Sequence, residues 1–149
     1  MVSGIVEINR QRCFSLEEAE ALLPIIYRLT DESSREMRRL VQCLETLPDK
    51  KSSRALEIEA QVDLLIDRWQ KKLSRLGAHP KGLWLADFDN GDGYWCWKFP
   101  ETSIRHYHGY QDGFTGRKQI ATNMKDMSER HHENRHRADQ SHPWGFQGE

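Results

Sequence analysis

Two apolar seams at helical spacing, joined by a short polar turn, constrain this 149-residue chain more than any other feature. The first runs Ala19, Leu22, Ile26, Leu29, Ser33, Met37, Leu40, Leu44, Leu47, a 3–4 alternation that marks one buried stripe of a helix. Ser15 stands before it with Glu18 three residues on, the pattern of a capping box. Pro24 deletes one backbone bond, at a cost of ~3 kcal/mol, but the seam continues in phase across it. A kink near residues 20–24 is therefore expected, not a break. From Ser15 to Leu47 such a helix would be roughly 48 Å long. After the turn Pro48–Ser52, the second seam starts near Ser53 and runs Leu56 or Ile58, Val62, Leu65, Trp69, Leu73, Leu76. Gly77 suits the left-handed residue after a helix, and Pro80 follows. The expectation is an antiparallel helical hairpin. Its length invites dimerisation through the helices.

Residues 82–120 read differently. They hold Trp84, Trp95 and Trp97, and turn residues punctuate them. Gly82–Phe88, Tyr94–Phe99 and Ile104–His108 read as three strands of an antiparallel meander, with Asp89–Gly93 and Pro100–Ser103 as turns. If Asn90-Gly91 centres the first turn, Asp87 opposes Tyr94 and Leu85 opposes Cys96 on one face. Trp84, Ala86, Phe88, Trp95, Trp97 and Phe99 then share the other face and meet the helices. If Glu101-Thr102 centres the second turn, Ile104, His106 and His108 join the aromatic face, and Arg105 and Tyr107 join Asp87 and Cys96. A slip of one residue exchanges these sets. The fold class is thus α+β: a long two-helix hairpin packed on a small antiparallel β-meander, with a polar C-terminal tail. The domain spans 13–120. Residues 1–12 are a lead-in whose Ile5, Val6 and Ile8 could form an edge strand, and 121–149 are a polar, His-containing tail.

Composition narrows the function classes. Lys and Arg number 22 against 23 Asp and Glu, so no net charge draws the chain to nucleic acid or an anionic membrane. No apolar run approaches the ~18 residues of a membrane span. The opening MVSGIVEINRQRC lacks a basic start followed by an apolar stretch, so a cytoplasmic location is expected. Cys13, Cys43 and Cys96 are odd in number and outside CxxC spacing, which points to reduced thiols and away from a zinc ribbon.

The stretch from Cys13 to Ile120 resembles a bacterial family known as domain of unknown function 2203. The resemblance rests on Phe14-Ser15-Leu16-Glu17-Glu18-Ala19 with Leu22-Leu23-Pro24, then Gly82, Leu85-Ala86-Asp87-Phe88, Cys96-Trp97, Glu101, Ile104, His108, Gly113-Phe114, Gly116-Arg117 and Ile120. Phe99-Pro100 and His106-Tyr107 depart from its pattern. It implies a fold and transfers no activity.

The residues that could carry chemistry are Asp87, Cys96, Glu101, His106, His108 and Arg117. An HxH pair on a strand points both imidazoles one way, and His106 and His108 could offer them to a divalent transition metal. Cys96 or a carboxylate would be the third ligand. The alternative is structural, with Asp87 paired to Arg105 and Cys96 packed in the core. Cys96 lies mid-strand, away from any helix N-terminus that would favour its thiolate. Gly113–Lys118 could cradle an anion, or Arg117 could tie that loop to Asp87, Glu101 or Asp112. In the tail, His132 and His136 lie four apart, and Trp144 with Phe146 could anchor a docking motif. Basic residues around Arg35–Arg39 and Lys50–Arg54 interleave with acids, which disfavours nucleic acid. Composition favours a non-catalytic interaction module that self-associates or binds a protein partner. The side chains of 87–117 favour a metal-binding or hydrolytic site built on His106 and His108 with Asp87 and Glu101.

Overall fold

A computed structural model describes residues 12–121, and the expected edge strand at Ile5, Val6 and Ile8 and the tail motifs at His131, His132, His136, His142, Trp144 and Phe146 lie outside that range. The hairpin forms as the seams require. Helix α1 spans Leu16–Thr46 and α2 spans Ser53–Arg75. Both halves of the capping box are made: the Ser15 hydroxyl accepts from the Glu18 N–H at 3.1 Å, and the Glu18 carboxylate accepts from the Ser15 N–H at 2.9 Å. The helix runs unbroken through Pro24. At the far end of α1, the Lys50 ammonium donates to the carbonyls of Leu44, Glu45 and Leu47, groups with no partner inside the helix. Ser52 caps α2 through the Ala55 N–H, and Gly77 closes it at φ 94°.

The sheet has five strands in sequential antiparallel order, two more than the aromatic pattern announces. They are β1 (His79–Pro80), β2 (Leu85–Asp89), β3 (Tyr94–Lys98), β4 (His106–His108) and β5 (Lys118–Gln119). β1 and β5 are two residues each, too short to show an alternation. β2 starts later than expected because Gly82–Trp84 is a turn, closed by the Leu85 N–H on the Gly82 carbonyl at 2.8 Å.

Two register expectations change, with different consequences. In the first hairpin Asp87 faces Cys96, Leu85 faces Lys98 and Asp89 faces Tyr94. That is a shift of two residues from the expected pairing of Asp87 with Tyr94 and Leu85 with Cys96. The cause is side-chain chemistry in the loop. Asp89 and Asn90 accept the backbone N–H groups of Gly91 and Asp92, and Gly91 sits at φ 92°. The loop is thereby four residues long, closed by the Asn90 N–H on the Gly93 carbonyl. A two-residue shift keeps every side chain on its face.

The second hairpin slips by one residue. Cys96 faces His106, Trp95 faces Tyr107 and Tyr94 faces His108, so both histidines leave the aromatic side and join Asp87 and Cys96. The connection is no tight turn. Glu101 folds back: its N–H donates to the Lys98 carbonyl, its carboxylate accepts the Lys98 N–H, and its carbonyl accepts the Trp97 indole N–H. This wide loop still drops Ile104 into the core.

The helices cover one sheet face. Phe14, Leu23 and Ile26 with Trp69 and Leu73 meet Ala86, Phe88, Trp95, Trp97 and Ile104 in one cluster. Edge-to-face pairs lock it: Phe14 on Phe88 at 5.4 Å and Trp69 on Trp84 at 5.0 Å. Leu40, Ala55 and Ile58 are buried outside that cluster, so the hairpin extends beyond the sheet. The other sheet face is left for polar side chains.

Candidate functional site

Sheet pairing places one row of reactive side chains across that polar face. His79 pairs with Asp87, Asp87 with Cys96, Cys96 with His106, and His106 with Gln119. The adjoining row is Asp89, Tyr94 and His108. Side chains directly opposed in antiparallel strands share a face, so all five strands contribute to one surface.

Three of these residues converge. Asp87, Cys96 and His108 are 3%, 1% and 4% exposed, although they project from the face that carries no helix. One ligand atom from each lies within 4.8 Å of the others. His108 Nε2 stands 3.0 Å from the Asp87 carboxylate, and Nδ1 stands 2.9 Å from the Gly109 carbonyl. Each ring nitrogen thus faces an oxygen acceptor. Burial pushes the Cys96 thiol up to about 12, reinforced by the charge and hydrogen bonding of Asp87 and opposed by Arg117. Cys96 is therefore a protonated thiol near neutrality. The three do not form a Cys–His–Asp nucleophilic triad either, because the histidine's second nitrogen is turned to Gly109 and the thiol leans on the carboxylate.

The remaining expected site residues form a second group. Arg117 forks onto Glu101 at 3.2 and 2.8 Å, which settles the anchoring of its loop on Glu101, not on Asp87 or Asp112. Its guanidinium also lies over the Phe114 ring at 4.4 Å. With Arg117 so engaged, Gly113–Lys118 is a short 3-10 turn at Phe114–Gly116, tied down at its end. His106 shares the face of His108, as its spacing demands, but turns to Glu101, with Nδ1 3.8 Å from the carboxylate. That nitrogen has no hydrogen-bond partner among the described residues. Asp87 pairs with His108, and the expected Asp87–Arg105 pairing is not made: the Arg105 guanidinium donates to Ser103.

A cleft of about 250 Å³ opens over the first group, walled by Lys81, Leu85, Tyr94, Tyr110, Gln111 and Phe114. The Tyr110 hydroxyl donates to Asp89 at 2.7 Å, which ties its loop to the end of β2. Asp112 holds the turn by accepting the Gly109 N–H at 3.3 Å. His79, Lys81 and Tyr110 stand on this face or at this cleft, and sequence reasoning did not single them out. His79 lies in a two-residue strand without periodicity, Lys81 follows it, and Tyr110 sits in a loop. Burial, aided by Lys81, holds the His79 imidazole below its ordinary value, against the pull of Asp89 and Asp87.

Glu101 supplies a pH test. Burial raises its carboxyl, but the Arg117 and Lys98 hydrogen bonds outweigh it and hold the group below the ordinary 4.5. A depressed carboxylate adds stability above its unfolded value, and that stability disappears as pH falls through the folded one. Wild type should therefore exceed Glu101→Gln by roughly 1–2 kcal/mol near pH 7. The gap should close progressively below pH 4.5 in urea melts at stepped pH. A gap independent of pH would mean the fork contributes no charge-dependent stability.

Residues 12–120 match a protein family described as "Uncharacterized conserved protein (DUF2203)". No curated protein and no solved structure matches the chain.

Proposed function

Because the chain belongs over residues 12–120 to the DUF2203 family, described only as uncharacterized, we propose its function from the site itself: it holds one divalent transition metal, zinc by preference, on Asp87, Cys96 and His108. The observation that carries this reading is the mutual approach of three buried donor atoms of three zinc-binding kinds to within 4.8 Å. Zinc bonds of about 2.0–2.3 Å in a tetrahedron separate donors by roughly 3.5 Å, so closure needs about an ångström of side-chain movement. The mixed sulfur, nitrogen and oxygen set suits zinc and its neighbours, not magnesium or calcium. The His108 Nδ1 contact with the Gly109 carbonyl supports the reading further. A ligating imidazole characteristically donates its other N–H to such an oxygen, which aims Nε2 at the metal. Three protein ligands leave one coordination position toward the cleft, the arrangement of catalytic zinc, where the ion polarises a carbonyl or activates water. Glu101 and His106, expected as partners of that chemistry, stand aside from the three donors.

The test is a metal titration of the full chain, purified without an affinity tag. One equivalent of zinc should bind, and cobalt(II) should give a thiolate charge-transfer band. Cys96→Ser should remove the band and weaken zinc at least 100-fold. Histidines outside the described residues cannot mimic that dependence on Cys96. Absence of stoichiometric binding, or binding indifferent to Cys96→Ser, overturns the reading.

A second reading, an interaction module joined through the hairpin, is favoured by Val41, Leu56 and Leu64, which leave apolar surface exposed on the helices. Sedimentation showing a dimer that Leu56→Glu dissolves would support it. Nucleic-acid binding is not favoured, since helices cover the aromatic face on which bases could stack. Among the described residues no helix is long and apolar enough to cross a membrane.

A further inference from the structure

The walls of the cleft bear on what it accepts. Lys81 is exposed, in the turn between β1 and β2, with its ammonium 5.1 Å from the centre of the Tyr94 ring. The same ring meets His108 at 5.5 Å, and Lys81 lines one cleft with Asp87, Cys96 and His108. Among the described residues, no carboxylate lies within ion-pair distance of Lys81. Of the neighbouring cations, Arg117 is held on Glu101, and Lys98, over the Phe114 ring at 5.2 Å, does not line the cleft. The nearby acids are committed too, Asp89 to the Tyr110 hydroxyl and Asp112 to the Gly109 N–H. Apart from Gln111 and Gly113, the rest of the wall is aliphatic or aromatic. Tyr110 meets Tyr94 edge to face at 5.1 Å, and Leu85 and Phe114 complete it.

One unpaired cation, one open metal position and a small ring-lined space define a ligand class. We infer that the cleft takes a small monocarboxylate with a compact planar or apolar body. Its carboxylate lies between the Lys81 ammonium and the metal, and its body lies against Tyr110, Phe114 and Leu85. This rests on the metal reading above. A single free cation neutralises one charge, and Asp87 and Asp112 beside it repel a second, which disfavours a phosphate dianion. The volume of about 250 Å³ is at the small end of ligand pockets, so the body is near the size of a benzene ring. Aromatic walls favour a flat face, and desolvation of the bound ion pair strengthens its hold.

The experiment titrates the cobalt-loaded full chain with benzoate, benzamide and inorganic phosphate while following the visible cobalt spectrum. Benzoate should perturb the spectrum saturably. Benzamide, the neutral isostere, and phosphate should each bind at least tenfold more weakly. Lys81→Met should weaken benzoate at least tenfold while leaving cobalt affinity unchanged, which also shows the variant is folded. Equal binding of benzamide, tighter binding of phosphate, or benzoate binding indifferent to Lys81→Met each overturns the ligand assignment while the metal site stands. Failure of cobalt to bind overturns both.

Discussion

Trp69→Ala should destabilise the fold by about 3–5 kcal/mol, the upper range for removing a core aromatic. Natural domains of this size have only ~5–15 kcal/mol in total, so the variant would be marginal. The residue is 1% exposed and sits where helix, helix and sheet meet. Its ring stands edge-on to Trp84 at 5.0 Å, and its indole N–H donates to the Thr30 hydroxyl at 2.9 Å. That hydroxyl donates in turn to the Ile26 carbonyl at 2.7 Å, so Thr30 keeps one bond when the indole is lost. The deficit is then mostly cavity and lost apolar burial, not an orphaned polar group. Trp69→Phe separates the two, since it keeps a ring and drops the hydrogen bond. It should cost about 1–2 kcal/mol. Urea unfolding followed by far-ultraviolet circular dichroism measures both. A loss below about 1 kcal/mol for the alanine variant would mean that the helices do not dock on the sheet through this residue.

Asp87→Ala should also destabilise the fold, for a different reason, and should abolish metal binding. The carboxylate is buried between the His108 imidazole and the Cys96 thiol. Deleting it strands a buried imidazole N–H, at a cost of about 1–3 kcal/mol. Asp87→Asn keeps an oxygen that can accept from Nε2 and should lose roughly 1–2 kcal/mol. A neutral amide is a poor ligand for zinc, so this milder variant should still weaken the metal at least 100-fold. Stability and metal affinity thus part company in Asp87→Asn, and a purely structural Asp–His pair would not produce that. Retention of zinc affinity in Asp87→Asn would remove Asp87 from the ligand set.

How much of this was legible follows from which physics was local. Ser15 and Glu18 announced α1 because a capping box is complete within four residues. The faces of β2 and β3 were readable by parity alone. The loop at Asn90 added two residues to the expected register, and a shift of two is invisible to side-chain direction. β4 was misread because Glu101 widened the connection through side-chain bonds to Lys98 and Trp97 that no turn propensity encodes. That single residue of slip decided the site. It carried His108 from the aromatic layer to Asp87 and Cys96. His79 and Lys81 were missed because a strand of two residues has no period to detect.

Asp87 and Cys96 are direct partners on adjoining inner strands, and the ladder between β2 and β3 is the longest in the sheet. Their backbone separation is set by main-chain bonding, where donors on surface loops could spread or close at will. The pair acts as a caliper. Whatever lodges between those two side chains is gauged by its radius, and only His108, near the end of a three-residue strand, has latitude to adjust the grip.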